Sequence, residues 1–446
     1  MFQTFETEEI YPPNKLKHVS DISKNTSLVN PNILTFFREN ITFDARSCSI
    51  SASVGGTDIQ TPFKIYIYNL PNKFNTDVQT RLMARHPECY SFEYCGSGAR
   101  LFDIGDGVTV YDSHQFSLEV LIHHLLALSP YRTLDPNKAD YFYIPAYIGL
   151  QCLLHNVTAT RSLIEELFTY LNSTPYFING KPQFSSLGKI EHEMRSKGSC
   201  PYLLHPNTVN ITFLSIERAL HRSALGQRVI SVPYPSYIHL TRKNSSIQNL
   251  LAASQRKIFI LLAASTRRSI RYRNIIMDQF TEKTTLSYEQ YTRHKQNSTT
   301  PMVMLITREC AQKPRYYTVP WMLHSVFCLQ PPGDSPTRKS FYDSLLSGCI
   351  PVLFPYPNHP SAWAFQNHFN FSKFTVTIPY NYMHSKTSRV YDFLSNISPV
   401  HVDTLQKEVW RVAPWYQYGI PDGAQSDQQD AMTMIHKDLV SAFSRQ

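Results

Sequence analysis

The sequence predicts an α/β protein made of two successive doubly wound halves. Strands and helices alternate along most of the chain, which is typical of a largely parallel sheet covered by helices. The alternation runs twice, because a polar segment at residues 237–255 separates two series of predicted elements. A chain of 446 residues is long enough to build two such halves, each with its own core. Ligands of this class bind at the carboxyl ends of the strands, so a cleft between the halves is the expected site.

The first half is predicted at residues 61–240, after an extension at residues 1–60 that is polar and lacks strong periodicity. We interpret the extension as a stem or an irregular segment. Residues 115–129 repeat apolar side chains at the helical period. The predicted strands of this half are 64–69, 140–144, 211–214 and 229–232, and its predicted helices are 115–129 and 160–170.

The second half is predicted at residues 250–446 and ends in a helix. Its strands are short apolar runs bounded by turn residues. The predicted strands are 257–263, 301–307, 326–329, 350–354 and 374–378, and the predicted helices are 272–280, 338–347, 389–396 and 427–443.

The segment 325–354, SVFCLQPPGDSPTRKSFYDSLLSGCIPVLF, carries the strongest functional signal. It places a Pro/Gly loop between a buried strand and a helix start, where unpaired backbone N–H groups and a partial positive charge favour phosphate. Gly333 lets the backbone approach a ligand, and Arg338 and Lys339 add fixed charge. Ser335 and Thr337 either cap the helix or bind phosphate. The alternative is an ordinary capped helix that binds nothing, since the glycines form no recognised phosphate-loop pattern.

Several segments of the chain resemble the exostosin-like glycosyltransferases, glycosyltransferase family 47. The segments FCLQPPGDSPTR (327–338) and GCIPV (348–352) are similar to the C-terminal signature of that family. KIYIYNLPNKFN (64–75), YRTLDPNKADYFYIPAY (131–147), VISVPYP (229–235), RKIFILLAASTRRSIRYRNII (256–276) and RVYDFLSNI (389–397) resemble further family segments in the same order. The resemblance covers residues 63–397.

The resemblance implies a GT-B fold, in which two Rossmann-like domains face a cleft. It also implies an inverting glycosyltransferase that moves a sugar from a nucleotide-sugar, expected to be a UDP-sugar, to a glycan or glycoprotein acceptor. The donor would bind to the C-terminal half. No tightly bound cofactor and no divalent metal are expected, because basic side chains and a helix dipole neutralise the leaving diphosphate in such enzymes. A homodimer or a heterodimer with another glycosyltransferase is left open.

Transfer requires stabilisation of the departing diphosphate and a base for the acceptor hydroxyl. Asp343 matches an acidic position of the family and is expected to contact the donor ribose or sugar. Glu217 matches an acidic position after a strand of the first half and is the expected base, with Asp334 and His239 as alternatives. The predicted donor-binding residues are Arg267, Arg273, Gly333, Asp334, Ser335, Thr337, Arg338 and Asp343.

The chain departs from the family pattern in two places. Ala264 or Ser265 stands where the family often has glycine, and PNTVNITFLSIERAL (206–220) lacks the Asp-His pair of the family segment. The second departure lies in the half expected to bind the acceptor. The alternative function is therefore a non-catalytic exostosin-like subunit, or a glycan-binding partner of a glycosyltransferase complex.

The composition favours an acidic ligand and a secretory location. The formal net charge is +9, and no Lys/Arg run is dense enough to predict nucleic-acid binding. The eight cysteines form no C-x-x-C pair, which argues against a structural zinc site. Sequons of the type N-x-S/T stand at Asn25, Asn40, Asn156, Asn172, Asn210, Asn244, Asn297, Asn370 and Asn396. We therefore expect the Golgi or ER lumen, with a membrane anchor supplied by a segment absent from this chain, since the first residues do not form a signal peptide.

Overall fold

The structure is a computed structural model. It describes residues 62–87, 89–105, 108–219, 228–240, 252–264, 271–281, 302–306, 318–333, 335–354, 361–384, 389–419 and 430–444. The predicted extension at residues 1–60 lies outside these ranges.

The β-strands of the described residues are numbered in chain order. They are β1 Ile65–Ile67, β2 Arg100–Gly105, β3 Val108–Tyr111, β4 Arg132–Thr133, β5 Tyr141–Ile144, β6 Gln183–Leu187, β7 Ile211–Ser215, β8 Arg218–Ala219, β9 Arg228–Ser231, β10 Ile238–Leu240, β11 Ile258–Ala263, β12 Met302–Ile306, β13 Ser325–Gln330, β14 Ile350–Leu353, β15 Ser361–Ala362 and β16 Val376–Thr377.

The α-helices of the same residues are α1 Thr76–Arg85, α2 Glu93–Gly96, α3 Leu118–Ala127, α4 Ile148–Cys152, α5 Val157–Leu171, α6 Pro175–Ile178, α7 Arg271–Thr281, α8 Val319–Leu323, α9 Lys339–Leu346, α10 Tyr380–His384, α11 Val390–Ser395, α12 Pro399–Val412 and α13 Ala431–Phe443. No helix in the described ranges is both long and apolar enough to cross a membrane.

Two parallel sheets form the framework. The first has the strand order β4-β1-β5-β6-β7-β9, and every neighbouring pair in it is parallel. The second has the order β12-β11-β13-β14-β16 and is also parallel throughout. Strands β5, β7 and β13 are buried along nearly their whole length, as expected for parallel strands covered on both faces. The predicted α/β class, with the two Rossmann-like sheets of a GT-B fold, is confirmed.

The two sheets are joined by smaller contacts. Strand β8 of the first series pairs antiparallel with β15 of the second. Helix α13 returns from the second series to the first, where the Phe443 ring stacks on Tyr141 at 4.7 Å and the His436 ring lies 4.4 Å from Tyr131. The segments that follow β7 and β13 also meet, because the Thr337 N–H donates a hydrogen bond to the Glu217 Oε2 atom at 3.0 Å.

Strand β6 lies at the centre of the first sheet and is absent from the predicted elements. Its sequence QFSSL contains two serines, which obscure the apolar run that a buried strand normally shows. Both serines are satisfied inside the core. Ser185 donates to the Ile144 carbonyl at 2.9 Å, and Ser186 shares a hydrogen bond with the Tyr143 hydroxyl at 2.7 Å. Both hydroxyl groups are therefore buried with their hydrogen bonds satisfied.

Other predictions differ from the structure locally. The hairpin of β2 and β3 and helix α12 were not predicted. The polar segment interpreted as a linker begins with strand β10, which pairs with β3 and is therefore part of a sheet. The predicted terminal helix begins at Ala431 rather than at residue 427, because Asp430 caps it by accepting a hydrogen bond from the Thr433 N–H at 3.1 Å. The predicted domain boundaries remain predictions.

Disulfides connect elements within each half. Cys152 is bonded to Cys200, and Cys328 is bonded to Cys349. The second pair joins β13 to the residue that precedes β14. Cys95 is also disulfide-bonded, whereas Cys89 is a thiol.

Candidate donor and transfer site

The loop between β13 and α9 lies where the two halves meet. Helix α9 begins at Lys339, after Arg338 as its N-cap residue in an extended conformation. No side chain caps this helix, so Ser335 and Thr337 do not act as caps. The Ser335 hydroxyl instead contacts the Thr337 carbonyl at 3.4 Å. The uncapped first turn of α9 can therefore offer its N–H groups to another partner.

The Arg338 guanidinium fastens this loop to the neighbouring strand. It donates one hydrogen bond to the Pro331 carbonyl at 2.8 Å and another to the Ala263 carbonyl at 3.0 Å. Ala263 is the last residue of β11, so the guanidinium lies at the carboxyl edge of the second sheet. Burial lowers the pKa of Arg338 to about 9, and the positive charge of Arg273 acts in the same direction. The side chain is still a cation at neutral pH.

Arg273 brings a second guanidinium to the same loop. It lies on α7 and is buried, with 6% of its surface exposed. A Cβ atom built on Gly333 would stand 2.7 Å from the Arg273 Nη2 atom, so the glycine is what allows this approach. Two guanidinium groups that are held close together, one buried and one partly buried, repel each other. A diphosphate placed against them would relieve this repulsion.

Glu217 faces the loop from the other half. It follows β7, has 5% of its surface exposed, and its Oε2 atom accepts a hydrogen bond from the Thr337 N–H at 3.0 Å. The Thr337 hydroxyl donates to the same oxygen. Among the described residues, the Oε1 atom accepts no hydrogen bond. The carboxylate thus presents one oxygen that is fixed by the loop and one that remains for a ligand.

Tyr234 completes this contact. Its hydroxyl lies 3.5 Å from the Thr337 Oγ1 atom, and burial raises its pKa. Sequence reasoning assigned no role to Tyr234, although the residue stands in the quoted VISVPYP segment. A tyrosine two residues after the end of a predicted strand was the signal that could have identified it.

Asp343 is committed to contacts within the protein. Its Oδ1 atom accepts hydrogen bonds from the Ser236 hydroxyl at 2.8 Å and from the Tyr237 N–H at 3.0 Å, and both carboxylate oxygens contact the Lys339 ammonium at 3.0 Å. The Lys339 ammonium also lies 3.0 Å from the centre of the Tyr237 ring. Asp343 therefore joins α9 to the segment before β10. Contact of Asp343 with a donor ribose remains a prediction.

The remaining predicted residues are placed as follows. Arg267 and Asp334 lie outside the described residues. His239 is fully buried, where its Nδ1 atom contacts the Tyr418 carbonyl at 2.7 Å and its Nε2 atom contacts the Ser113 hydroxyl at 3.1 Å. Burial lowers the pKa of His239 to about 4, so the ring is neutral. With both nitrogens engaged, His239 is less suited than Glu217 to accept a proton from a ligand.

The first half brings further charged residues near the end of β7, which the sequence did not suggest. Lys189 follows β6 and pairs with Glu193 at 3.2 Å. The Ser215 hydroxyl, at the end of β7, contacts the Lys189 carbonyl at 3.3 Å. These residues were missed because β6 was not predicted, so the carboxyl end of that strand could not be located.

A buried glutamate supports the same edge of the first sheet. The Glu119 carboxyl accepts hydrogen bonds from the Gly149 N–H at 2.7 Å and the Leu150 N–H at 2.9 Å, both in helix α4, which follows β5. Burial raises its pKa to about 8. Glu119 thus orders the backbone that follows β5 without reaching the surface.

Comparisons with known proteins agree with the sequence resemblance. The model of the exostosin GT47 domain matches residues 59–391. The chain is 27% identical to the probable xyloglucan galactosyltransferase GT15 of Arabidopsis thaliana, over 81% of this chain and 78% of the relative. It is 31% identical to the xyloglucan-specific galacturonosyltransferase 1 of Arabidopsis thaliana, over 66% of this chain and 44% of the relative.

Solved structures are more distant. A glycosyltransferase from Rickettsia africae aligns with a TM-score of 0.35 and 9% identity, over 68% of this chain and 76% of that chain. Anabaena HepE in complex with UDP and glucose aligns with a TM-score of 0.31 and 11% identity, over 69% of this chain and 79% of that chain.

Proposed function

Because the chain belongs to the exostosin GT47 family of glycosyltransferases, we propose that it transfers a sugar from a UDP-sugar to a polysaccharide, with inversion at the anomeric carbon. The observation that carries the proposal is the pair of guanidinium groups, Arg273 and Arg338, at the carboxyl edge of the second sheet. They face a carboxylate, Glu217, from the first sheet across the same loop. The relatives named xyloglucan galactosyltransferases make xyloglucan our first candidate acceptor.

In the proposed reaction, the bond between the anomeric carbon and the diphosphate oxygen breaks, and the leaving UDP takes the electron pair. Arg273, Arg338 and the first N–H groups of α9 stabilise the charge that develops on the diphosphate. Gly333, Ser335 and Thr337 provide the backbone and hydroxyl groups of the same cradle. An acceptor hydroxyl attacks the opposite face of the sugar, and its proton passes to the Glu217 Oε1 atom.

Thr337 couples the two halves of this mechanism. Its backbone N–H and hydroxyl both hold the Glu217 Oε2 atom, so the base is positioned by the loop that binds the donor. We propose no divalent metal in this step, since the two arginines supply the positive charge.

We place the protein in the Golgi or ER lumen. The nine sequons support passage through the secretory pathway. The disulfides Cys152–Cys200 and Cys328–Cys349 support an oxidising compartment, because such bonds are rare in the cytosol.

The experiment that tests the function measures donor binding and turnover separately. We expect UDP to raise the melting temperature of the wild type, and Arg338→Ala to lose most of this shift. Glu217→Gln is expected to keep the UDP shift and to lose transfer to xyloglucan by about 100-fold or more, because an amide cannot accept the proton. The control is Arg411→Ala, which removes an exposed guanidinium on α12.

Three results would contradict the proposal. If no UDP-sugar binds the wild type, the donor assignment is wrong. If Arg338→Ala binds UDP as the wild type does, the guanidinium pair is not the donor site. If donors bind but no polysaccharide in a panel is glycosylated, the alternative function holds, and the protein is a non-catalytic exostosin-like subunit.

A further inference from the structure

A cavity lies beside Arg218, the residue that follows Glu217. Its volume is about 200 Å³, which is smaller than a drug-sized site and admits only a small ligand. Strand β9, the loop after β15 and helix α13 enclose it, and we call it the edge cavity because β9 is the edge strand of the first sheet. It is lined by Arg218, Val229, Ile230, Ser231, Ala362, Trp363, Phe365, Gln366, Asn367, His368, Asp438, Ser441 and Ala442.

The side chains of the edge cavity differ from those of the donor site. The loop between β13 and α9, residues 331–338, is called the donor loop after its proposed role. It meets two guanidinium groups, whereas the edge cavity combines one guanidinium with a carboxylate. Asp438 pairs with His368, whose Nε2 atom lies 2.6 Å from the Asp438 Oδ1 atom. The cavity therefore has little net charge to attract a phosphate or an acidic group. A neutral ligand fits this balance.

The same lining suits a sugar ring. Trp363 is partly buried and supplies a flat apolar surface, against which the C–H face of a pyranose can pack. The exposed Asn367 amide carries donors and an acceptor, as hydroxyl groups require, and the Gln366 amide offers its NH₂ group, since its oxygen accepts a hydrogen bond from the Trp363 N–H at 3.0 Å. Proteins commonly orient a bound small molecule with an apolar surface and a few polar groups, and the edge cavity offers both.

The loop that forms the cavity rim is held in a strained conformation. Phe365 has a φ of 58°, which is uncommon for a residue with a bulky side chain. Its carbonyl accepts hydrogen bonds from the His368 N–H at 2.9 Å and the Phe369 N–H at 3.1 Å. This turn places residues 366–368 together at the rim. Strain of this kind persists where the surrounding structure imposes it, often at ligand sites.

The edge cavity is connected to the transfer site through two contacts. Arg218 directly follows Glu217, so their Cα atoms are about 3.8 Å apart. The Trp363 ring lies 4.7 Å from the Phe341 ring of α9, the helix that follows the donor loop. A polymer that receives a sugar near Glu217 is thus close enough to occupy the edge cavity with another of its rings.

We propose that the edge cavity binds a neutral sugar ring of the polysaccharide acceptor, at a distance from the ring that receives the transferred sugar. The proposal rests on the proposed function, since it assumes a polysaccharide acceptor. It assigns the selection of a polymeric acceptor to β9, the loop after β15 and α13. The donor loop has no part in this selection.

Two variants test the proposal without touching the transfer site. Asn367→Ala removes an exposed amide, and Ser441→Trp fills the cavity from an exposed position of α13. The matched controls are Asn179→Ala, an exposed amide after α6, and Ser444→Trp, which follows α13 and does not line the cavity. The measurements are retention of polymeric xyloglucan in affinity electrophoresis, the KM for that polymer, and the UDP-induced melting shift.

We expect both cavity variants to lose xyloglucan retention and to raise the KM for the polymer by about tenfold. An effect of this size is typical when a contact supplies a large share of the binding free energy. Their kcat and UDP shift should match those of the wild type and the controls. Retention of xyloglucan by both variants at the wild-type level would overturn the proposal. So would a wild type that transfers to or hydrolyses donor but does not retain the polymer.

Failure of the proposed function would give a different pattern. A protein that binds no UDP-sugar but retains xyloglucan, with retention lost in both cavity variants, would disprove transfer and still support the edge cavity as a glycan site.

Discussion

Gly333 determines how closely a cation can approach the donor loop. A Cβ atom at this position would meet the Arg273 Nη2 atom at 2.7 Å, below the distance that real contacts show. The arginine end is flexible, so we expect it to move away from the loop in Gly333→Ala. The free energy of unfolding should change by less than about 1 kcal/mol, while UDP affinity should fall by about tenfold, because one of two phosphate contacts is displaced. Isothermal titration with UDP measures the affinity, and chemical denaturation measures the stability.

The control for this prediction is Gly198→Ala. No atom lies within 4 Å of a Cβ built on Gly198, so this variant should keep both UDP affinity and stability. Equal UDP affinity in Gly333→Ala and the wild type would show that the Arg273 guanidinium does not contact the donor.

From the sequence, two distant residues could be predicted to lie close together only where both follow the ends of predicted strands. Glu217 and Arg338 were both placed after predicted strands, and the structure joins their loops through Thr337. The hydrogen-bond partners of Asp343 could not be predicted, because Ser236 lies in the other half and 107 positions away in the chain. Pairing across halves depends on how the two sheets pack, which local patterns do not encode.

At the scale of elements, helix α9 is held in place by one buried carboxylate. Asp343 receives the Ser236 hydroxyl and the Tyr237 N–H from the first half, and it balances the charge of Lys339. We expect Asp343→Ala to lower the free energy of unfolding by about 3 kcal/mol or more, because it removes the carboxylate that balances the charge of a buried ammonium. Chemical denaturation with UDP absent measures this loss.

The double variant Asp343→Ala/Lys339→Met separates two roles for Asp343. If the carboxylate acts by joining α9 to the first half, removing the ammonium as well should restore part of the stability, and UDP affinity should recover with it. If Asp343 instead contacts the donor ribose, UDP affinity should remain low in the double variant while stability returns.

Elements with clear periodicity were predicted from the sequence, and those stabilised by side-chain hydrogen bonds were not. Helix α5 shows a continuous apolar stripe, and its predicted range of 160–170 lies within the observed Val157–Leu171. Strand β6 has Ser185 and Ser186 at its centre, and each is accommodated by a specific partner on β5. Those partners are known only once β5 and β6 are adjacent, so the strand could not be recognised from its own residues.

At the scale of the whole molecule, buried titratable groups set how stability depends on pH. Burial lowers the pKa of five described histidines, and it raises the pKa of two described carboxyl groups. The histidines are His123, His124, His239, His324 and His436, and the carboxyls are Glu119 and Asp430.

The two sets act in opposite directions. A histidine with a folded pKa near 4, such as His436, contributes stability above its usual pKa of 6.5 that is lost as the pH falls toward 4. Glu119, with a folded pKa of about 8, contributes stability below its usual pKa of 4.5 that is lost as the pH rises through 8. Each group changes the free energy of unfolding by at most about 1.4 kcal/mol per pH unit. Because the histidines outnumber the carboxyls, stability should fall between about pH 6.5 and pH 4.5.

His436→Leu tests this prediction at one site. The ring lies among Phe63 and Tyr131, so an apolar side chain suits the position, and burial lowers the pKa of the histidine to about 4. We expect the variant to lose less stability than the wild type when the pH falls from about 7 to about 5, by up to about 2 kcal/mol. The control, His401→Leu, replaces an exposed histidine on α12 and should follow the wild-type pH profile. Parallel profiles for His436→Leu and the wild type in urea unfolding at the two pH values would show that His436 does not titrate on unfolding.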